Sequence, residues 1–241
     1  MDDDLQQDRF LAIDRLSDSR RADAYAQLRM GQAWIQSVPI RENGHTVSVP
    51  AGLIHHWVGA VFVNGASLAD VLAILHDYDH HKEIYRPRMR QSKLVGQTGD
   101  ESKVRLQLYN KSVVTVFLNA DFDVTDSQYG ELRHQIALRS TRIAEVSNAE
   151  TASESELPVG NDHGYLWRFR SYWRLEEKDG GVYLQNESLA LTRSLPGLFA
   201  WLFNPFVKDL PRDILLHLLT DTRDAVARRS TGSTGLLRSL Q

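Results

Sequence analysis

Between residues 90 and 192 the chain offers one β-type segment after another, followed by a single long amphipathic helix. The candidate strands are 90–96, 102–109, 113–124, 131–146, 163–176 and 182–192. Turn signals separate them at Gln97-Thr98-Gly99-Asp100 and at Lys178-Asp179-Gly180-Gly181. Consecutive strands joined by short turns pair antiparallel, because a parallel pair needs a long crossover. From residue 211 to about residue 228, Ile214, Leu215, Leu218, Leu219 and Val226 form one apolar stripe. The last turn is basic, which suits the helix dipole. A lone helix with such a stripe must bury it on the sheet. The expected fold class is α+β: a curved antiparallel sheet of about six to seven strands gripping a long C-terminal helix.

An extension precedes this unit. Phe10, Ile13, Leu16, Ala22, Tyr25 and Leu28 recur at helical spacing and predict one or two amphipathic helices. Strands are expected at 34–40 and 45–49, around Glu42-Asn43-Gly44. Asn-Gly between β-type runs signals a hairpin, since both turn positions need positive φ. Residues 56–63 read as a strand buried on both faces. Ser67, with Asp70 three residues on, caps a helix whose stripe is Leu68, Val71, Leu72 and Leu75. The expected division is an N-terminal helical and hairpin extension over 1–50, the sheet-and-helix domain over 51–229, and a disordered low-complexity tail over 230–241.

This order, with Trp57 to Val63, the helix from Ser67, the segment Asp77-Tyr78…Tyr85…Pro87 and the closing helix, resembles the START-like (SRPBCC) helix-grip superfamily. That superfamily includes polyketide cyclase/dehydrase-like and lipid-transfer domains. The resemblance spans residues 53–228 and is strongest at Asp77, Tyr78 and Pro87, where such domains carry an Asp, an aromatic and a Pro after the first helix. It implies a deep cavity between sheet and C-terminal helix that takes an apolar small molecule or lipid. The superfamily has no universal catalytic motif, so the resemblance assigns no catalytic residue.

Composition acts by exclusion. With no Cys, disulfides, thiol nucleophiles and Cys-ligated zinc are ruled out. Lys and Arg number 28 against 31 Asp and Glu, a net charge of −3, so nothing draws nucleic acid. Arg86, Arg88 and Arg90 alternate as on a solvated strand face. No stretch approaches the roughly 18 apolar residues of a membrane span, and Met1-Asp2-Asp3-Asp4 lacks the apolar core of a signal peptide. A soluble, cytoplasmic protein is the default expectation, which a leader removed upstream would change. Oligomeric state is not legible.

Several clusters carry potential chemistry. His76/His80 and Asp77/His81 stand at i, i+4, with His55-His56 as further ligands, but the HExxH signature is lacking. This reads as a polar helix end, and neither a metal nor a cofactor is expected. Asp162-His163 pairs an acid with a His, yet no Gly-x-Ser-x-Gly elbow supplies a nucleophile.

The ligand-binding candidates lie on strand faces. Tyr165, Trp167, Phe169, Ser171 and Trp173 share one face of 163–175, opposite Arg168, Arg170 and Arg174. That aromatic face is either a packed core or one wall of a ligand cavity. Asn186 and Ser188 alternate inward on the partner strand and require a ligand, a water or a neighbour as partner. Leu132, His134, Ile136, Leu138 and Ser140 alternate inward on 131–146, with His134 a polar handle or a satisfied core imidazole. Ile214 and Leu218 would face the cavity from the helix. Phe199, Trp201, Phe203 and Phe206 would form a lid, a buried connector or a membrane contact. The expected function is non-covalent binding of a hydrophobic small molecule or lipid. The alternatives are a cyclase- or dehydratase-like enzyme using His134 or Asp162-His163, and an interaction or membrane-contact module built on 198–207.

Overall fold

The structure is a computed structural model that describes residues 9–111, 114–194 and 210–229. A short 3₁₀ turn, Ala12–Arg15, leads into α1 (Asp18–Arg29). Strands β1 (Trp34–Ser37), β2 (Arg41–Glu42), β3 (His45–Thr46) and β4 (Gly52–Asn64) follow. Next come α2 (Leu68–Leu75), a 3₁₀ turn at Tyr78–His80 and α3 (His81–Ile84). The meander consists of β5 (Met89–Thr98), β6 (Glu101–Lys111), β7 (Thr115–Gln128) and β8 (Arg133–Ser147). It continues through a short β9 (Ser155–Glu156), β10 (Arg168–Lys178) and β11 (Gly181–Arg193), and residues 210–229 form α4. Among the described residues no helix is long and apolar enough to cross a membrane.

The main sheet runs β1-β4-β11-β10-β8-β7-β6-β5, with β9 beside β8, and every pairing is antiparallel. It is therefore larger than the sequence predicts, because β1 and β9 join it. The Asn43-Gly44 turn has positive φ at both residues, 49° and 81°, but its hairpin is short and β1 pairs with β4 instead. The cap at Ser67 forms as the spacing predicts: Ser67 Oγ accepts from Asp70 N at 3.2 Å, and Asp70 Oδ2 accepts from Ser67 N at 2.9 Å.

Cross-strand pairing fixes which side chains share a face. On the inner face the row Val61, Leu184, Leu175 and His134 runs beside the row Gly59, Asn186, Trp173, Ile136 and Asp126. Leu215, Leu219 and Val226 of α4 pack into this core at 0–2% exposure. Gly59 allows the approach, since a Cβ there would lie 2.8 Å from Leu219 Cδ1 and 3.2 Å from Leu215 Cδ2.

The outer face is not wholly solvated on the arginine side of β10. Arg168 and Arg170 are exposed, but Arg174 is 4% exposed. Its Nε donates to Gln135 Oε1, and Nη1 stands 3.5 Å from Glu187. The N-terminal segment accounts for the difference. Phe10, Leu11, Ile13, Ala24 and Leu28 build a second core against Ala60, Phe62 and Tyr183 on the outer side of β4 and β11. Ala12 N donates to the fully buried Gln185 Oε1 at 2.6 Å.

Candidate ligand-binding face

The inner face is divided. Towards α2 it is filled: Val61, Leu184, Leu175, Ile136 and Val124 are at most 1% exposed. Towards the other end the aligned residues stay half-buried, apart from the buried Ser171. There Trp57 pairs with Ser188, which pairs with Ser171, which pairs with Leu138. His55 pairs with Ala190, which pairs with Phe169. Trp57, Leu138, Leu166, Phe169 and Leu218 are partly buried apolar groups packed against the core, and the ring of Phe169 meets Phe122 edge-on at 6.2 Å. Half-covered aromatic surface beside a closed core is the form a binding wall takes.

Polar groups punctuate this wall. Asn186 is fully buried and donates to Ser171 Oγ at 2.7 Å, while its Oδ1 has no partner. A buried acceptor left bare costs about 1–3 kcal/mol. The imidazole of His55 reaches Thr192 Oγ1 at 3.1 Å, and burial pushes its pKa below the ordinary value, which keeps it neutral near pH 7. Its neighbour His56 points to the opposite face and meets Glu187 Oε1 at 2.8 Å, so the two cannot serve one site.

Two carboxylates anchor the ends of β8. Glu145, 5% exposed, accepts from the backbone N–H of His163 at 3.0 Å and of Tyr165 at 2.9 Å. His163 Nδ1 lies 2.7 Å from the same carboxylate. Burial would raise the Glu145 pKa, but these donors bring it below the usual carboxylate range. At the other end Asp126 Oδ1 lies 2.7 Å from His134 Nε2 and 2.8 Å from His76 Nε2. Burial again opposes ionisation, and the two imidazoles outweigh it, holding Asp126 at about 2.

The sequence-predicted residues fall unevenly on this geometry. Phe169, Trp173, Ile136, Leu138, Asn186, Ser188 and His134 lie on the inner face in register, and Leu218 packs beside them. Tyr165 and Trp167 precede β10, which begins at Arg168; Tyr165 is 36% exposed and stacks on His163 at 5.3 Å. The strand starts late because Gly164 holds a positive φ and breaks the extended run. Leu132 also precedes its strand and is exposed. Ile214 is 39% exposed, because α4 docks through Leu215 and Leu219 and turns Ile214 away. Phe199, Trp201, Phe203 and Phe206 lie outside the described residues, as does the tail 230–241.

The i, i+4 pairs that a continuous helix would give the His-rich segment do not form. α2 ends at Leu75, so His80 Nδ1 meets Asp77 at 2.6 Å, and the buried His81 meets the Ile74 carbonyl at 3.1 Å. Nor does Asp162 orient His163; Glu145 does. Sequence reasoning missed Glu145 and Asp126. A register shift between β7 and β8 at Asp121/Phe122 changes which residues of β8 face inward after Ser140, from the even positions to Ile143 and Glu145. Asp126 lies beyond the predicted end of its strand, and an acid next to a Thr carries no signal by itself. Two shallow concavities of about 470 and 580 Å³ lie on the side of Arg139 and Arg170 and on that of Arg105 and Arg142, away from α4.

No family model matches the chain, and no curated protein sequence does. Its likenesses are to solved structures. The Zhui aromatase/cyclase from Streptomyces sp. R1128 superposes with a TM-score of 0.51 at 13% identity, over 74% of this chain and 96% of that one. The di-domain aromatase/cyclase StfQ of the steffimycin biosynthetic pathway gives 0.50 at 12% identity, over 74% of this chain and 53% of that one. A STAR-related lipid transfer protein from Xanthomonas axonopodis gives 0.46 at 19% identity, over 78% and 98%. At these identities the likeness is one of fold, the helix-grip fold of an antiparallel sheet closed by a C-terminal helix.

Proposed function

We propose that the protein binds an apolar small molecule or lipid non-covalently against the half-buried part of its inner face, beside α4. The observation that carries this is the contrast within one face: a closed core towards α2, and a half-covered wall of Trp57, Phe169, Leu138 and Leu218 beyond it. The bare Asn186 Oδ1 beside Ser171 favours a ligand that brings one hydroxyl or N–H donor. A second reading, an enzyme, draws on His134, whose imidazole is oriented by Asp126 as a general base would be. We place the domain boundary of this binding unit at residues 51–229, with β1 added to its sheet edge.

The test is titration with a fluorescent fatty acid. The expected result is saturable binding that Trp57→Ala or Phe169→Ala weakens by about tenfold or more, the scale of one buried aromatic contact. Leu132→Ala, on an exposed site, should leave binding unchanged. Binding that is absent, or that Trp57→Ala does not alter, overturns the reading.

A further inference from the structure

We propose that His76, Asp126 and His134 form a binding site for a first-row divalent cation of the Zn²⁺ class. The three residues come from the end of α2, from β7 and from β8. Their ligand atoms, two imidazole Nε2 and one carboxylate oxygen, lie within 4.8 Å of one another. Each imidazole already meets the same Asp126 oxygen, at 2.7 and 2.8 Å, and the two rings stand nearly edge-on at 72°, with centroids 6.1 Å apart. Two imidazole nitrogens and one carboxylate oxygen are a ligand set that Zn²⁺, Co²⁺ and Ni²⁺ accept, and three protein ligands leave a further position for water.

The surroundings suit such an ion. Asp126 and His134 are partly buried, with side-chain exposures of 17% and 12%, while His76 is 40% exposed and leaves a path for entry. Tyr78 is 6% exposed, its ring lies 6.3 Å from that of His76, and its hydroxyl is buried without a hydrogen-bond partner. A free buried donor beside the triad is what a metal-bound water would use. To coordinate a cation through Nε2, each imidazole carries its proton on Nδ1. The ligands stand at sequence positions 76, 126 and 134, so no local spacing motif announces them, and the site is separate from the half-buried apolar wall.

Isothermal titration of the full chain with Zn²⁺, together with visible absorption on titration with Co²⁺, tests the assignment. The expected result is one cation per chain and a Co²⁺ spectrum of low-coordinate type. His76→Gln, at an exposed position, and Asp126→Asn should each weaken binding by at least about tenfold. His80→Ala, which removes the neighbouring exposed imidazole paired with Asp77, should leave the affinity unchanged. The proposal is overturned if neither ion binds stoichiometrically, or if His76→Gln binds as tightly as the parent. Equal losses in His80→Ala and His76→Gln would also overturn it, since they would place the ion elsewhere in the His-rich segment.

Discussion

A single buried imidazole shows how position sets chemistry in this chain. His81 is 8% exposed, bonded to the Ile74 carbonyl and flanked edge-on by Tyr78 and Tyr85, both at 5.3 Å. Burial lowers its pKa below 6.5, more than the nearby carbonyl and Asp77 raise it. The unfolded chain therefore takes up this proton first. Its contribution to stability is complete above about pH 6.5 and is lost as pH falls below that value. His81→Gln removes the titration. Urea unfolding at pH 7 and pH 5 should show the parent losing stability on acidification by up to about 1.4 kcal/mol per pH unit more than the variant. An identical pH dependence would show that the ring is not held neutral. In a continuous helix His81 and Asp77, at i and i+4, would share a face. The 3₁₀ turn at Tyr78–His80 breaks that register.

At the scale of elements, α4 is held by a narrow seam. Leu215, Leu219, Thr222 and Val226 are all at most 2% exposed, and Tyr85 Oη meets Thr222 Oγ1 at 3.0 Å. Leu219→Ala should cost about 2–5 kcal/mol in chemical unfolding, because the site under Gly59 cannot collapse to fill the gap. A loss under about 1 kcal/mol would mean that the seam is loose. The apolar stripe of this helix was legible in the sequence, but its centre was not. Five apolar residues are compatible with several docking angles, and the gap left by Gly59 selects the one that buries Leu219 and exposes Ile214. The alternation on β10 and β11 was legible for the same reason as the stripe: period-two burial writes itself into residue choice over many positions. One bulge in the β7–β8 pairing was enough to hide Glu145.

At the scale of the whole molecule, one sheet carries two cores. The inner core holds α2 and α4, and the outer one holds the N-terminal segment on β4 and β11. Part-buried polar groups knit the second core, with Lys178 Nζ bonded to Tyr25 Oη at 2.9 Å and Tyr25 Oη bonded to Asp14 at 2.5 Å. The sequence shows an extension of the right length with apolar residues at helical spacing. The surface it covers is invisible there, because that surface joins β4 to β11, a strand more than a hundred residues further along the chain. Covering the outer face frees the inner face to be only partly filled without loss of a packed core. The central claim is that this inner face holds an apolar molecule. Native mass spectrometry of the protein purified without detergent tests it most directly. The expected result is a one-to-one adduct that collisional activation releases as an apolar compound. A spectrum of the bare chain alone, unchanged after incubation with mixed fatty acids and lipids, would contradict it.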